Sequence, residues 1–258
     1  MEIKLTGRKA LITGGSKGLG LAIARTFAAA GADVAIMARR QAPLDEAVAA
    51  IGVQPGQQVL PVAGDVRLAE DIAAGFARVT QAFGRVDILV NNAGTSNAHP
   101  FEAVSDAQWQ EDIDLKLFAA IRLTRLVWPQ MKERKWGRVI NVLNIGAKAP
   151  RPASAPTSVT RAAGMALTKA LAGEGAPHGI LVNALLVGFI ESDQWVQRAA
   201  KLGVPLADFL AKMGKEIPLG RVGTAQEFAN AACFLASDAA SYITGTAINV
   251  DGNRSPVV

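Results

Sequence analysis

The sequence predicts an α/β protein, a doubly wound Rossmann-like parallel sheet of about seven strands. Three observations carry this: short apolar runs alternate with helical periodicity along the chain, a glycine-rich turn follows the first apolar run, and long interruptions are scarce. Strands buried on both faces read as continuous apolar runs, and these do. Lys9–Thr13 reads as the first strand and Gly18–Ala30 as the first helix, with a second strand over Asp33–Ala38. A short helix near Pro43–Ile51, a strand at Gln58–Ala63, a helix at Ala69–Phe83 and a strand at Val86–Asn91 follow. Helical periodicity runs from about Ala107 to Arg134 into the strand Arg138–Leu143; a helix at about Ala155–Glu174 leads to the strand Leu181–Leu186. Asp193–Met213 reads as helical but is interrupted by Gly203 and Pro205, like a movable flap over about residues 190–215. Thr224 caps a helix to Ala236, and Glu227 completes a capping box. Ala247–Val250 is the last strand, before an Asp-Gly turn.

The chain has 258 residues, and no repeat, linker or low-complexity tract divides it, so a single domain over 1–258 is expected. With 50% hydrophobic and 19% charged residues it is an ordered globular chain. Its net charge of +5 is scattered rather than striped, which gives no support to nucleic-acid binding. No apolar stretch approaches the roughly 18 residues of a membrane span. The N-terminal residues lack a signal-peptide core, and the single cysteine, Cys233, sits in an apolar helical stretch as a core thiol would. A cytoplasmic protein is expected. No cluster of metal-ligating residues stands out.

The loop Thr13-Gly14-Gly15-Ser16-Lys17-Gly18-Leu19-Gly20 joins a strand to a helix. There, backbone N–H groups and the positive helix end meet, which suits a pyrophosphate. Together with Asp65-Val66, Asn91-Asn92-Ala93-Gly94, Tyr242-Ile243-Thr244-Gly245 and Asp251-Gly252, this loop resembles the short-chain dehydrogenase/reductase family along essentially the whole chain. The resemblance implies that Gly14, Ser16, Lys17, Gly18, Leu19 and Gly20 cradle a dinucleotide. It further implies that Asp65 and Val66 face its adenine and that Asn91, Asn92, Ala93 and Gly94 line it. Gly188 and Ile190 would flank the nicotinamide, in a segment where Val187 replaces the family's proline, and Arg161 can hold a ribose. Ala38 stands where the family's NAD users carry Asp, and Arg39 follows. With Lys17, two cations and no carboxylate suit a 2′-phosphate, so NADP is the expected cofactor, although Arg39 and Arg40 also read as ordinary surface charges.

The catalytic positions depart from the family pattern, which is Asn, Ser, Tyr and Lys. They read Asp114, Asn144, Thr157 and Arg161, and the one tyrosine, Tyr242, belongs to the C-terminal motif. A threonine hydroxyl has no pKa near the phenol's value of about 10, and a guanidinium relays protons poorly. Three readings stay open. One is NADP-dependent redox chemistry on a small carbonyl or alcohol, with Asp114, Asn144 or water covering the proton step. The second is an isomerase, lyase or dehydratase on the same scaffold, and the third a nucleotide-binding sensor or partner subunit. Lys148, Arg151 and Arg161 are candidates to receive an anionic group on a small-molecule substrate, or to be solvated charges. His99 borders the same space or has no role there, while Trp195, Phe209 and Met213 serve as apolar cover or as core. The family implies a homotetramer, with a homodimer as the fallback.

Overall fold

The computed structural model describes residues 3–52 and 54–258, with only the backbone of Asp193 and Gln194. The chain begins β1 (Lys9–Thr13), α1 (Gly18–Ala29), β2 (Asp33–Ala38), α2 (Gln41–Ala50), β3 (Val59–Ala63), α3 (Ala69–Phe83) and β4 (Ile88–Asn91). A two-residue strand β5 (Ala98–His99) then precedes α4 (Asp106–Ile113), a π-helical turn (Asp114–Phe118) and α5 (Ala119–Arg134). The remainder is β6 (Gly137–Asn144), the two-residue β7 (Ala155–Pro156), α6 (Thr157–Gly175), β8 (Ile180–Val187), α7 (Asp193–Lys201), α8 (Leu206–Gly214), α9 (Ala225–Ala236) and β9 (Ala247–Val250). Among the described residues, seven strands pair in the order β3-β2-β1-β4-β6-β8-β9, all parallel.

Strand alternation divides the core between two faces. Ala10 and Ile12 of β1 join one cluster with Ile23 and Phe27 of α1 and Phe228 of α9. Leu11 joins the other, with Val79 of α3, Leu123 and Val127 of α5 and Ala172 of α6. Period 2 along the strand and the i, i+3, i+4, i+7 spacing of Gly20, Ile23, Ala24 and Phe27 on α1 are what let helices cover both faces. Cys233 lies in the first cluster, and burial pushes its thiol up to about 11, as befits an inert core residue. Thr224 and Glu227 make the capping box at the start of α9, and the Arg221 guanidinium holds the Glu227 carboxyl down to about 2.

Strand order reverses between β1 and β4, so their carboxyl ends open a crevice. The glycine loop leaves β1 and the Asn92–Gly94 turn leaves β4 on the same side. Asn92 stitches them: its Nδ2 donates to Thr13 O at 2.9 Å and Gly14 O at 3.2 Å, while Thr13 Oγ1 accepts from the backbone of Asn92 and Ala93. Gly20 packs on the Gly14 carbonyl with no room for a Cβ. The expected helix over Ala155–Glu174 starts later, because Ala155–Pro156 pairs instead with Ala98–His99. The flap region forms two helices, α7 and α8, broken at Gly203 (φ +67°). No helix among the described residues is long and apolar enough to cross a membrane.

Gly20→Ala should destabilise the fold by about 1–3 kcal/mol, because a methyl group there is forced against backbone. Urea unfolding measures it; a midpoint matching the wild type would show that the loop and α1 do not need this close approach.

Candidate functional site

A cleft of about 500 Å³ runs along the carboxyl ends of the strands. One end is lined by Gly14, Lys17, Gly18 and Leu19 and by Asn92, Ala93 and Gly94. Gly18, at φ +52°, has nothing within 4 Å of where a Cβ would sit, so open space lies over the start of α1. Lys17 is the N-cap residue of that helix, makes no side-chain cap, and no acid stands in the first turn. Uncapped N–H groups and an open cradle fit a dinucleotide's pyrophosphate. The Lys17 and Arg39 side chains are exposed and make no hydrogen bond or ion pair among the described residues, although the charge of Arg39 reaches the Asp65 carboxylate.

Not every expected cofactor residue lines this cleft. Gly20 serves helix–strand packing, Ser16 and Ala38 do not line the cleft, and Val66 is buried in the core. Arg67 takes the Asp65 carboxylate bidentately, through Nε at 3.0 Å and Nη2 at 2.6 Å, and holds it below the usual carboxylate range. Asn91 points behind the sheet end: its Nδ2 donates to Asn141 Oδ1 at 2.9 Å, within a buried chain that continues to Thr168. Gly188 and Ile190 do line the cleft, and Asp251 Cα would lie 2.6 Å from a Cβ at Gly188.

At the other expected centre, Asn144, Thr157 and Arg161 meet in the cleft, and Asp114 does not. Asp114 faces outward, accepting from Gln110 Nε2 at 3.0 Å and lying 3.7 Å from Arg122 Nη2. Positions two apart on a helix point in nearly opposite directions, so the residue turned inward is Lys116. Its side chain is 0% exposed. Lys116 Nζ pairs with Asp112 one turn earlier and donates to Thr157 Oγ1 at 2.9 Å. The same hydroxyl accepts from the backbone N–H of Asn97 at 2.9 Å. With both acceptor positions filled by donors, the Thr157 proton is left to point into the cleft. Thr160 Oγ1 donates to the other Asp112 oxygen at 2.7 Å.

Arg161 lies close enough to this carboxylate for their charges to interact. Its Nη1 donates to Val142 O at 2.9 Å, its Nε is buried without a partner, and its Nη2 lies against Gly94, where any Cβ would collide. Burial pushes its guanidinium down to about 10, with Asp112 opposing. Burial likewise pushes Lys116 down to about 8; its hydrogen bond to Asp112 opposes this and the charge of Arg161 adds to it. Two cations on one carboxylate leave a surplus positive charge beneath Thr157, where an oxyanion would be stabilised. Asn144 adds a buried Oδ1 without a partner, next to Ser158 across Gly146.

The loop candidates separate as well. Arg151 lines the cleft, whereas Lys148 Nζ donates to Ala247 O at 2.6 Å and His99 pairs with Asn97 at 3.0 Å outside it. Trp195 lines the cleft edge-on to Phe189, its Nε1 donating to Ile190 O at 2.9 Å, and Phe209 backs its ring at 6.2 Å. Sequence reasoning missed Lys116, Asp112 and Arg254, the last also in the cleft wall. The available signal was an acid–base pair at i, i+4, with its lysine set among Leu115, Leu117 and Phe118.

A family model described as enoyl-(acyl carrier protein) reductase matches residues 14–252. The chain belongs to the short-chain dehydrogenase/reductase family. It is 38% identical over 247 residues to an acetoacetyl-CoA reductase of Rhizobium meliloti (strain 1021), covering 96% of this chain and 98% of that protein. The structure matches L-sorbose reductase from Gluconobacter frateurii complexed with NADPH and L-sorbose, with a TM-score of 0.96, 36% identity and full coverage of both chains. An NADPH-bound short-chain oxidoreductase from Pseudomonas aeruginosa PAO1, described as containing an atypical catalytic center, matches with a TM-score of 0.92 and 35% identity over 99% of each chain.

Lys116 binds its proton less tightly folded than unfolded, so the buried ammonium costs stability below about pH 8. Between about 8 and the ordinary 10.5, the unfolded chain holds more protons, and stability rises with pH. Urea midpoints at pH 7.5 and 9.5 should therefore shift in favour of the wild type relative to Lys116→Met. Parallel curves would show that Lys116 titrates normally.

Proposed function

We propose that this protein is an NADP(H)-dependent oxidoreductase acting on a small carbonyl or alcohol, in which a Lys116–Thr157 pair carries the proton. The observation behind this reading is the 2.9 Å donation from buried Lys116 Nζ to Thr157 Oγ1 at the cleft wall. Gly14, Lys17, Gly18, Leu19, Ala93 and Gly94 would hold the cofactor, with Lys17 and Arg39 available to a 2′-phosphate. Bound there, the cofactor would supply the hydride chemistry.

The chain's own residues then account for the proton. In reduction, the Thr157 hydroxyl gives its proton to the substrate oxygen as Lys116 gives one to Thr157 Oγ1. The O–H bond of threonine is broken and remade in one motion, so no free alkoxide forms. A threonine alone could not do this at neutral pH, but an ammonium with a pKa of about 8 is matched to it. Asp112 and Thr160 fix the ammonium, and Arg161 supplies the fixed charge that favours an anionic oxygen. Oxidation runs the same path backwards, with neutral Lys116 as acceptor. The relatives named as reductases and the NADPH-bound structural matches support the redox reading over the isomerase, lyase and sensor alternatives. A homotetramer remains part of the proposal, with exposed Phe118 and Val159 beside the site as apolar surface for a second copy.

Titration of the protein with both cofactors, followed by turnover on a panel of ketones and aldehydes, tests this. NADPH should bind about tenfold or more tighter than NADH, as a charge-assisted contact to the 2′-phosphate requires. Turnover should fall by about 10²–10⁴ in Thr157→Val. Equal affinities would remove the phosphate assignment, and undiminished turnover in the variant would remove the proton path.

A further inference from the structure

Among the described residues the cleft wall carries four cationic side chains, Lys17, Arg151, Arg161 and Arg254, and no carboxylate or histidine. Lys17 belongs to the cradle over α1, and Arg161 is bound up with Asp112 and Val142 beneath Thr157. Arg254 and Arg151 have no part in either arrangement. Arg254 comes from the turn after β9 and Arg151, which is exposed, from the loop between β6 and α6, so two segments distant in sequence contribute arginines to the wall of one cavity.

Arg254 is held in a built setting. Its side chain is only 8% exposed. Its guanidinium lies 3.6 Å from the centroid of the Phe189 ring, stacked in a way that leaves its edges free to donate. Nε is buried without a partner. One carboxylate, Glu216, accepts from Nη2 at 3.1 Å, but it is 62% exposed and water competes for it. The backbone that presents Arg254 is tied down by Asp251, whose Oδ1 and Oδ2 accept from the N–H groups of Asn253 at 3.0 Å and Ser255 at 2.7 Å. Gly252 and Asn253 take left-handed backbone, at φ +64° and +68°, to close that turn. Gly188 in turn leaves space for Asp251, so the glycine after β8 and the Asp-Gly motif after β9 together aim this arginine.

We propose that Arg254, assisted by Arg151, receives an anionic group on the substrate, a carboxylate or a phosphate, at the end of the cleft away from the glycine loop. The assignment rests on the reductase reading of the same cleft and narrows its substrate class to oxo or hydroxy compounds bearing such a group. A buried guanidinium with an unused N–H gains most from an anion that can take two parallel hydrogen bonds, and a neutral carbonyl cannot. Arg254 touches the substrate's remote group and takes no part in the proton step, so its effect belongs in selectivity.

Matched pairs of probes test this: 4-oxopentanoate against 2-pentanone, and dihydroxyacetone phosphate against dihydroxyacetone. Each is scored by kcat/KM with NADPH and, independently of turnover, by its binding to the protein–NADPH complex through nicotinamide fluorescence. The anionic member of at least one pair should be preferred by about tenfold or more, and the favoured pair identifies carboxylate or phosphate. In Arg254→Gln that ratio should collapse toward one, with Arg254→Lys retaining part of it. No preference in either pair, or an undiminished ratio in Arg254→Gln, overturns the proposal. Anion-selective binding without any hydride transfer would uphold the anion site while rejecting the reductase reading beneath it.

Discussion

Beneath the cleft, Lys116 pairs with the buried carboxylate of Asp112 close to the charge of Arg161, and much of the local architecture follows from accommodating the three. Removing an ion from water costs several kcal/mol even after relaxation, so each of the three must be held by specific partners. Lys116 needs the inward face of the helix that begins at Asp106, Asp112 needs Thr160 on α6, and Arg161 needs the Val142 carbonyl and a glycine at position 94. The long helical segment, α6, β6 and the turn after β4 are thereby fixed relative to one another around one charge cluster. Burial, with the charge of Arg161 adding to it, lowers the affinity of Lys116 for its proton, and the surplus positive charge would favour an anionic oxygen above Thr157.

On the proposed proton path, this arrangement would let the family's scaffold work without its tyrosine. The usual solution places a phenol on α6 and tunes it with a lysine four residues later on the same helix. In the proposed path the titrating group lies on the neighbouring helix, and α6 contributes an alcohol that would pass a proton along. The residue four positions later on α6, Arg161, keeps the charge and gives up the titration. Asp112 is bonded to Lys116 on one helix and to Thr160 on the other, so the two helices act as one unit. Cofactor and substrate ends of the cleft are then served by other elements: the start of α1 for the pyrophosphate, and the turn after β9 for Arg254.

Much of the fold was legible because its signals are local. β1, β2, α3 and β9 fall where apolar runs and helical spacing put them, and the capping box at Thr224 marks its helix start. The glycine loop and the Asn92–Gly94 turn were readable because a cradle and a close approach admit few residue types. The proton site was less legible. Asp114 was chosen by its place in the family pattern, yet the direction of a side chain depends on helix phase, and the inward position belongs to Lys116. Arg254 was hidden for a different reason: only the folded chain shows that the turn after β9 reaches the cleft opened by β1 and β4. Asp65, by contrast, was seen in sequence, but its partner Arg67 could be known only from side-chain geometry.

The pH dependence of the hydride-transfer step, followed in a single turnover of NADPH, tests the proton path most directly. With Lys116 as the acid, the rate of reduction should fall as pH rises through about 8, where its ammonium deprotonates, and oxidation should rise through the same interval. Lys116→Met still leaves Asp112 balanced by Arg161, so the variant should fold and turn over slowly with a flat profile there. A variant that keeps the wild-type profile and rate would contradict the account, because the titrating group would then lie elsewhere.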